Sequence, residues 1–381
     1  MNFKKDFPMA NKIIYFDSAA LVLKPQIAID AITNFYSNIS ISSRTADTPL
    51  GNVVNQAINE VRQKVANLID AEESEIIFTS GTTESLNLAA TMLCDFLQPD
   101  DEILLSAYNH ASNMIPWHEI SLKTKAKVIV AEDLEPLINS KTKIIALSQE
   151  SNNFKVSYNL DSIYQKAEQV GALLINDAAQ SIAHSKTSLK MSHLIAFSAN
   201  KFYGPTGLGV LAIQKELLIN LKPAKFGGGS ISEIKKNLEW TKKDTISVFE
   251  PGTPDLAGLF MFNKSLDYFF SIGYEQTQKI LNDLSVYLHQ KLNSLDNIEV
   301  FSQPGDYIVL LNVKGINSQD VATYLGTKNI YTIAGIFCAH YLRNIKDTYS
   351  YLRISLGIYN TFEDIDMLVE ALKNGGDFYA F

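Results

Sequence analysis

The sequence predicts an α/β protein of two domains, and three features of the chain predict it. Residues 172–175 and 194–197 are short apolar runs that stop abruptly at polar residues, Asn176-Asp177 after the first and Ser198-Ala199-Asn200-Lys201 after the second. Runs of that length without polar alternation are strands buried on both faces, as in a parallel sheet covered by helices. Similar runs at 75–79, 102–106 and 143–148 alternate with helical segments, the order expected of a mostly parallel sheet between helices. Beyond about residue 260 the pattern changes to a long helical stretch, paired strands and further helices, which reads as a smaller α+β unit. A chain of 381 residues, 46% of them hydrophobic, is long enough for two cores. The expected division is 15–259 for the large domain and 260–381 for the smaller one, with residues 1–14 as an arm packing beside the latter.

In chain order, residues 13–24 read as a short strand and a loop. Residues 25–37 and 53–70 read as amphipathic helices; in the second, Val54, Ile58, Val61, Val65 and Leu68 recur at three- and four-residue spacing and mark one buried face. The strand at 75–79 runs into Ser80-Gly81-Thr82-Thr83-Glu84 and a helix starting near Ser85. Such a turn presents unpaired backbone N–H groups and the positive end of a helix dipole, both of which attract phosphate. Cys94 is expected in the apolar helix that follows, as a buried structural thiol. The strand at 102–106 leads to Asn109-His110-Ala111-Ser112-Asn113, and the strand at 143–148 to Gln149-Glu150-Ser151-Asn152. Gly227–Ile231 reads as a flexible loop near the site, and Pro251-Gly252-Thr253-Pro254 as a turn into a helix at 256–272. A helix at 275–293, strands near 298–301 and 307–312, and helices near 318–326 and 362–373 complete the smaller unit.

An acid and a lysine just past the ends of two buried strands stand at the carboxyl edge of the sheet, where open α/β sheets bind ligands. Asp177, Lys201, the flanking Ser198 and Asn200, and the Gly204-Pro205-Thr206-Gly207 turn suit a cofactor with a carbonyl, a ring nitrogen and a phosphate. Pyridoxal 5′-phosphate has all three.

Asp177-x-x-Gln180 and Phe197-Ser198-x-x-Lys201-x-Tyr203-Gly204-Pro205-Thr206-Gly207 resemble the class V aminotransferases of the fold-type I pyridoxal-phosphate enzymes, and within them the Suf-type cysteine desulfurases and selenocysteine lyases. The resemblance runs over nearly the whole chain. It implies the fold-type I architecture, with a sheet of the seven-stranded type in the large domain. It implies roles for matching residues: Lys201 bonds the cofactor, Asp177 holds its ring nitrogen, and Asn152 and Gln180 reach its phenolic oxygen. His110 stacks on the ring, and Thr82, Thr83, Ser198 and Asn200 hold the phosphate. Thr253, in Phe249-Glu250-x-Gly252-Thr253-Pro254, reaches the neighbouring subunit's phosphate, which implies a homodimer. Ala19 and Ala20 lie near the substrate.

The resemblance also implies the chemistry. Arg353, in Arg353-x-Ser355-x-x-x-Tyr359-Asn360-Thr361, grips the substrate carboxylate together with Asn152, as a planar guanidinium can do with two parallel hydrogen bonds. Cys338 attacks the sulfur of bound L-cysteine, with Lys201 and His110 as the other catalytic groups, leaving alanine and a persulfide for an acceptor protein in Fe–S cluster assembly or tRNA thiolation. The chain departs from the pattern at Ile333, where the family has Arg, at Ile336 and Phe337, where it has His, and at Asn200, also a family His. Arg44 matches the Arg of the 40–52 loop, but the histidines beside it are absent. These departures leave open another class V activity: selenocysteine lyase, cysteine lyase or aminotransferase.

Composition narrows the rest. A formal net charge of −8 without a long basic run speaks against nucleic acid as a partner. No apolar run approaches the roughly 20 residues of a membrane span, and the N-terminal stretch lacks the apolar segment of a secretory signal. Two cysteines make no disulfide framework and no metal site is patterned. The expectation is a cytoplasmic enzyme without a metal.

Overall fold

The computed structural model describes residues 3–45 and 47–373; the first two residues of the expected arm and residues 374–381 lie outside the described residues. In chain order the main elements are β1 (Ile14–Tyr15), α1 (Gln26–Asn34), α2 (Pro49–Leu68), β2 (Ile76–Thr79), α3 (Thr82–Met92), β3 (Glu102–Ser106), α4 (Ile115–Thr124), β4 (Lys127–Ala131), β5 (Thr142–Ser148), α5 (Leu160–Val170), β6 (Leu173–Asp177), β7 (Leu194–Ser198) and β8 (Gly209–Ile213). They continue with α6 (Lys215–Leu218), β9 (Ile231–Ile234), β10 (Trp240–Lys242), α7 (Leu256–Leu292), β11 (Ile298–Val300), β12 (Ile308–Val313), α8 (Ser318–Thr327), β13 (Ile330–Tyr331), β14 (Ile333–Gly335), β15 (Tyr351–Ser355) and α9 (Phe362–Lys373).

The large sheet has seven strands in the order β2-β8-β7-β6-β5-β3-β4. β8 runs antiparallel to both its neighbours, and the other pairings are parallel. Its strands lack polar alternation because both faces are covered. Ile103, Leu105, Ile144, Ala146 and Ile175 pack on one side with α3 and α4, while the alternate residues Leu104, Ile145, Leu147 and Leu174 pack on the other with α5. β4 and β8, apolar runs that stop at Glu132 and Gln214, complete this sheet, and the exposed hairpin β9–β10 lies outside it.

Local chemistry explains where several elements differ from their sequence-based bounds. α2 starts at Pro49 because the Thr48 side chain accepts the Gly51 N–H at 3.2 Å and proline suits a first helical turn. Gly51, which reads as a helix breaker, is required there: a Cβ would lie 1.8 Å from the Thr45 carbonyl oxygen. α3 starts at Thr82, so Cys94 lies beyond it in a short 3₁₀ turn and is half-buried rather than inside the helix. α7 is broken at Gly273, whose φ of 78° is left-handed, so its two halves match the helices expected at 256–272 and 275–293.

The second core forms on the four-stranded sheet β11-β12-β15-β14, covered by α8, α9 and the latter half of α7. The start of the chain enters both cores. Phe7 packs with Tyr203, Phe262 and Tyr359 in the first, and Ile14 and Phe16 join Ile354 and Leu325 in the second. β1 pairs in parallel with β13, and Asp17 bridges to Ser355. That crossing ties the N-terminal strand to β13 and to the end of β15.

Candidate active site

The parallel strands end together. Thr79, Ser106, Ser148, Asp177 and Ser198 are the last residues of β2, β3, β5, β6 and β7, and the antiparallel β8 begins at Gly209, opposite Thr79 and Ser198. A cavity of about 210 Å³ opens at this edge, and every residue expected to hold the cofactor lines it except Thr253. Ser112, Ser148 and Glu150 line it too, although the sequence reading did not single them out. A larger cleft of about 440 Å³, between residues 149–158 and 278–308, shares Glu150 with it. The smaller cavity holds Lys201, Asp177 and His110, though neither Cys338 nor Arg353 lines it, so chemistry rather than size identifies the site.

Burial sets the state of those groups. Lys201, in the 3₁₀ turn after β7, is pushed down to about 8 by burial, with the Asp177 carboxylate opposing. Asp177, 4% exposed, has its pKa raised by burial, while the Ala179 N–H, which it receives at 3.0 Å, and the Lys201 charge hold it down. His110 is pushed down to about 4 by burial and by the positive charges of Lys201, His340 and Arg353, so it is neutral at physiological pH. Its Nδ1 bonds the Ser112 hydroxyl at 2.9 Å, and that of Thr83 lies 2.8 Å from the same hydroxyl.

The start of α3 supplies the anion cradle. The Thr82 N–H donates to Ser198 Oγ at 2.7 Å, and the two hydroxyls are also 2.7 Å apart. Gly81 lies against β8 so closely that a Cβ on Gly209 would sit 2.4 Å from the Gly81 Cα. A flat cofactor with a phosphate, a carbonyl and a ring nitrogen fits this donor set. The phosphate matches the helix N-terminus and hydroxyls, the carbonyl matches a lysine that is partly neutral, and a ring N–H⁺ matches the buried Asp177.

The remaining residues tie this edge to the first strand and to the loop after β14. Gln180 donates to the Ala19 carbonyl at 2.8 Å, which places Ala19 behind a residue of the cavity wall. Asn152 donates to the Phe337 carbonyl at 2.8 Å, and the Cys338 carbonyl accepts the Ala111 N–H at 2.8 Å. The loop bearing Cys338 is thereby fastened to the segments of Asn152 and His110. Phe337 and Cys338 are left-handed, with φ of 55° and 58°, and Cys338 is exposed. Thr253 lies on the surface next to Gly252, whose carbonyl accepts from Arg44 at 3.3 Å.

Arg353, 2% exposed, donates to the Asn152 carbonyl at 3.0 Å and to Asp17 at 2.7 Å. Asp17 was missed, although its signal is the one that marks Asp177: an acid closing an apolar run, here Ile13–Phe16. Lys24 was missed as well. It donates to the Asn200 carbonyl at 2.8 Å beside the reactive lysine, and burial lowers it to about 7; nothing in its neighbours marks it.

Comparison with known proteins agrees with this geometry. The family model described as Aminotransferase class-V matches residues 14–368. A probable cysteine desulfurase of Ureaplasma parvum serovar 3 is 35% identical over 389 residues, spanning 98% of this chain and 96% of that protein. Among solved structures, the apo cysteine desulfurase of Thermococcus onnurineus NA1 superposes with a TM-score of 0.93 at 27% identity, over 97% of this chain and 96% of that one. The cysteine desulfurase CsdA of Escherichia coli, in an S-sulfonic acid form, gives 0.91 at 29% identity, over 98% and 97%.

Proposed function

The chain belongs to the class-V aminotransferase family, and from that membership we propose that it is a pyridoxal 5′-phosphate-dependent L-cysteine desulfurase, with the residues of the cavity in the roles that follow. When bound, the cofactor supplies an electron sink for negative charge at the substrate Cα. Lys201 holds the cofactor and then acts as the base at Cα; a lysine lowered to about 8 has a substantial neutral fraction near neutral pH. Asp177 keeps the proton on the ring nitrogen. The hydroxyls of Thr82, Thr83 and Ser198, the Thr82 amide and Asn200 position the phosphate. Neutral His110 covers the ring, and Gln180 and Asn152 orient its phenolic oxygen. Arg353 takes the substrate carboxylate, with Asn152 beside it.

Cys338 is the nucleophile. Its thiolate attacks the substrate sulfur; the new S–S bond forms as the Cβ–S bond breaks, and the electron pair leaves with the substrate carbon, which is protonated to alanine. The observation that carries this reading is the fastening of the Cys338 loop: Phe337 and Cys338 both give their carbonyls to the cavity wall, while the cysteine itself stays exposed. The exposure suits delivery of the persulfide to an acceptor protein serving Fe–S cluster assembly or tRNA thiolation. A homodimer in which Thr253 serves the partner's phosphate belongs to the same reading. So does a reducing, cytoplasmic setting for a free reactive thiol. Among the described residues no helix is long and apolar enough to cross a membrane.

The test compares alanine and persulfide formation from L-cysteine by the native enzyme and Cys338→Ala, both loaded with cofactor. Native turnover that disappears in the variant, with the visible absorbance of the cofactor unchanged, is the expected result. An inactive native enzyme that turns over selenocysteine or an amino acid/keto acid pair would instead assign the alternative left open by Ile333, Ile336, Phe337 and Asn200.

A further inference from the structure

We propose that Asp17 is a resident carboxylate on Arg353 that yields to the substrate, taking up a proton from solvent when a substrate α-carboxylate reaches the guanidinium. The inference rests on the reading above for the identity of the incoming carboxylate. It concerns a specificity-determining residue whose partner stands 336 positions away in the chain.

Arg353 lies on β15 with only 2% of its surface exposed. One terminal nitrogen donates to Asp17 at 2.7 Å and the other to the Asn152 carbonyl at 3.0 Å. The Phe337 ring covers the guanidinium, with its centroid 4.6 Å from the central carbon. The Nε is buried and has no hydrogen-bond partner. A guanidinium carries five N–H donors, so this one is neutralised but not saturated, and a donor in a dry place is left for a ligand.

A second carboxylate arriving at Arg353 makes two anions share one buried cation. Like charges at that distance cannot both stay ionised cheaply in a water-poor site, so one of the pair takes a proton. Asp17 is the one that yields. An α-carboxyl is the stronger acid of the two, and burial has already raised the pKa of Asp17, with Arg353 and then Lys201 opposing. The other titratable groups facing it do not compete for the proton. Tyr15, on its own strand, and Tyr359, beyond β15, are phenols pushed well above their usual range, chiefly by burial. The Asp17 backbone is pinned by its bridge to Ser355, so the residue changes charge rather than leaving. The complex holds one more proton than its parts, so affinity for the carboxylate falls as pH rises, by up to about tenfold per unit.

The proton is countable. L-Alanine, the expected product, has no leaving group and binds without turnover. Its binding to the cofactor-loaded enzyme is measured calorimetrically in buffers of different ionisation heat, for the native protein and for Asp17→Asn. Asp17 also acts on the charge of Lys201, so the two counts are compared well below the value of about 8 to which that amine is lowered, where it stays protonated in both proteins. The native enzyme is expected to take up about one proton more than Asp17→Asn; equal counts overturn the proposal. Asp17→Asn removes the counter-ion of a buried arginine and can unfold the protein, so a second measurement needs no variant. The infrared difference spectrum of the native enzyme at saturating L-alanine is expected to gain the C=O stretch of a protonated carboxyl, and its absence also overturns the proposal. Neither readout depends on Cys338. A native enzyme that takes up the proton but produces no persulfide from L-cysteine would sink the desulfurase reading and leave this one standing.

Discussion

Lys201 shows how a single residue acquires its chemistry from depth. In water its amine is almost wholly protonated at neutral pH; inside the cavity, burial lowers it to about 8. The condensing form is the neutral amine, so the rate at which cofactor-free protein takes up pyridoxal 5′-phosphate is expected to rise with pH and level off above about 8. Stopped-flow absorbance from pH 6 to about 10.5, the range of an ordinary lysine, reads it directly. A rate still climbing at the top of that range would show an unshifted amine. Cys338 draws its position from the opposite condition. It is exposed, and its place is set by backbone carbonyls rather than by its own side chain, so Cys338→Ala is expected to leave the fold and the cofactor site intact. Residues such as Asp177 and Lys201 are legible in sequence because each punctuates an apolar run. Lys24 and Glu150 are not, because their meaning comes from neighbours distant in the chain, the Asn200 carbonyl for one and Ser185 and Tyr307 for the other.

At the scale of elements, two contacts decide whether the sheet edge has the right shape. The first is the approach of Gly81 to Gly209. Because a Cβ at 209 would overlap the Gly81 backbone, Gly209→Ala is expected to push back the start of α3 and weaken cofactor binding by about tenfold or more, 1.4 kcal/mol. Equilibrium titration of cofactor-free protein measures this, and unchanged affinity would deny the α3 N-terminus its role in holding the phosphate. The second is the pair of Arg62 on α2 with Glu250. Two hydrogen bonds of 2.9 and 2.8 Å join them, Glu250 also receives the Phe78 N–H at 2.7 Å, and Arg62 donates to the Ile76 carbonyl. Both side chains are largely buried, so Arg62→Met is expected to cost about 3–5 kcal/mol of stability by stranding Glu250, and the double variant Arg62→Met/Glu250→Gln less. Urea unfolding of the two proteins reads the difference; equal losses would make the pair dispensable. The elements themselves were legible where pattern is local, as in the break of α7 near Gly273. α2's first turn was not, because Gly51 and Pro49 look like breakers until the Thr48 cap and the Thr45 carbonyl are seen around them.

The whole molecule closes around a junction. The N-terminal segment supplies Phe7 to one core and Ile14 and Phe16 to the other, then delivers Asp17 to Arg353. The cavity therefore sits where three distant parts of the chain meet: the sheet edge, the Cys338 loop and the first strand. One expected cofactor residue stays outside it. Thr253 is on the surface, which is the position required of a residue that serves a second subunit. Light scattering is expected to return twice the mass of one chain, and Thr253→Ala to lower cofactor affinity although the residue lines no part of its own chain's cavity. A monomer that binds cofactor with full affinity would remove Thr253 from the site.

The sequence by itself determined the α/β class, the helix–strand order and the main polar stops at the carboxyl edge, because apolar runs, caps and Gly/Pro breaks act over a few residues. It also carried the motif order that relates the chain to its family. Tertiary structure alone decided that Arg353 is neutralised by Asp17, that Phe337 covers it, and that the Cys338 loop is fastened through its carbonyls. Those outcomes come from packing and desolvation between separate elements, for Asp17 and Arg353 336 positions apart. No local pattern encodes which buried charge will find which partner.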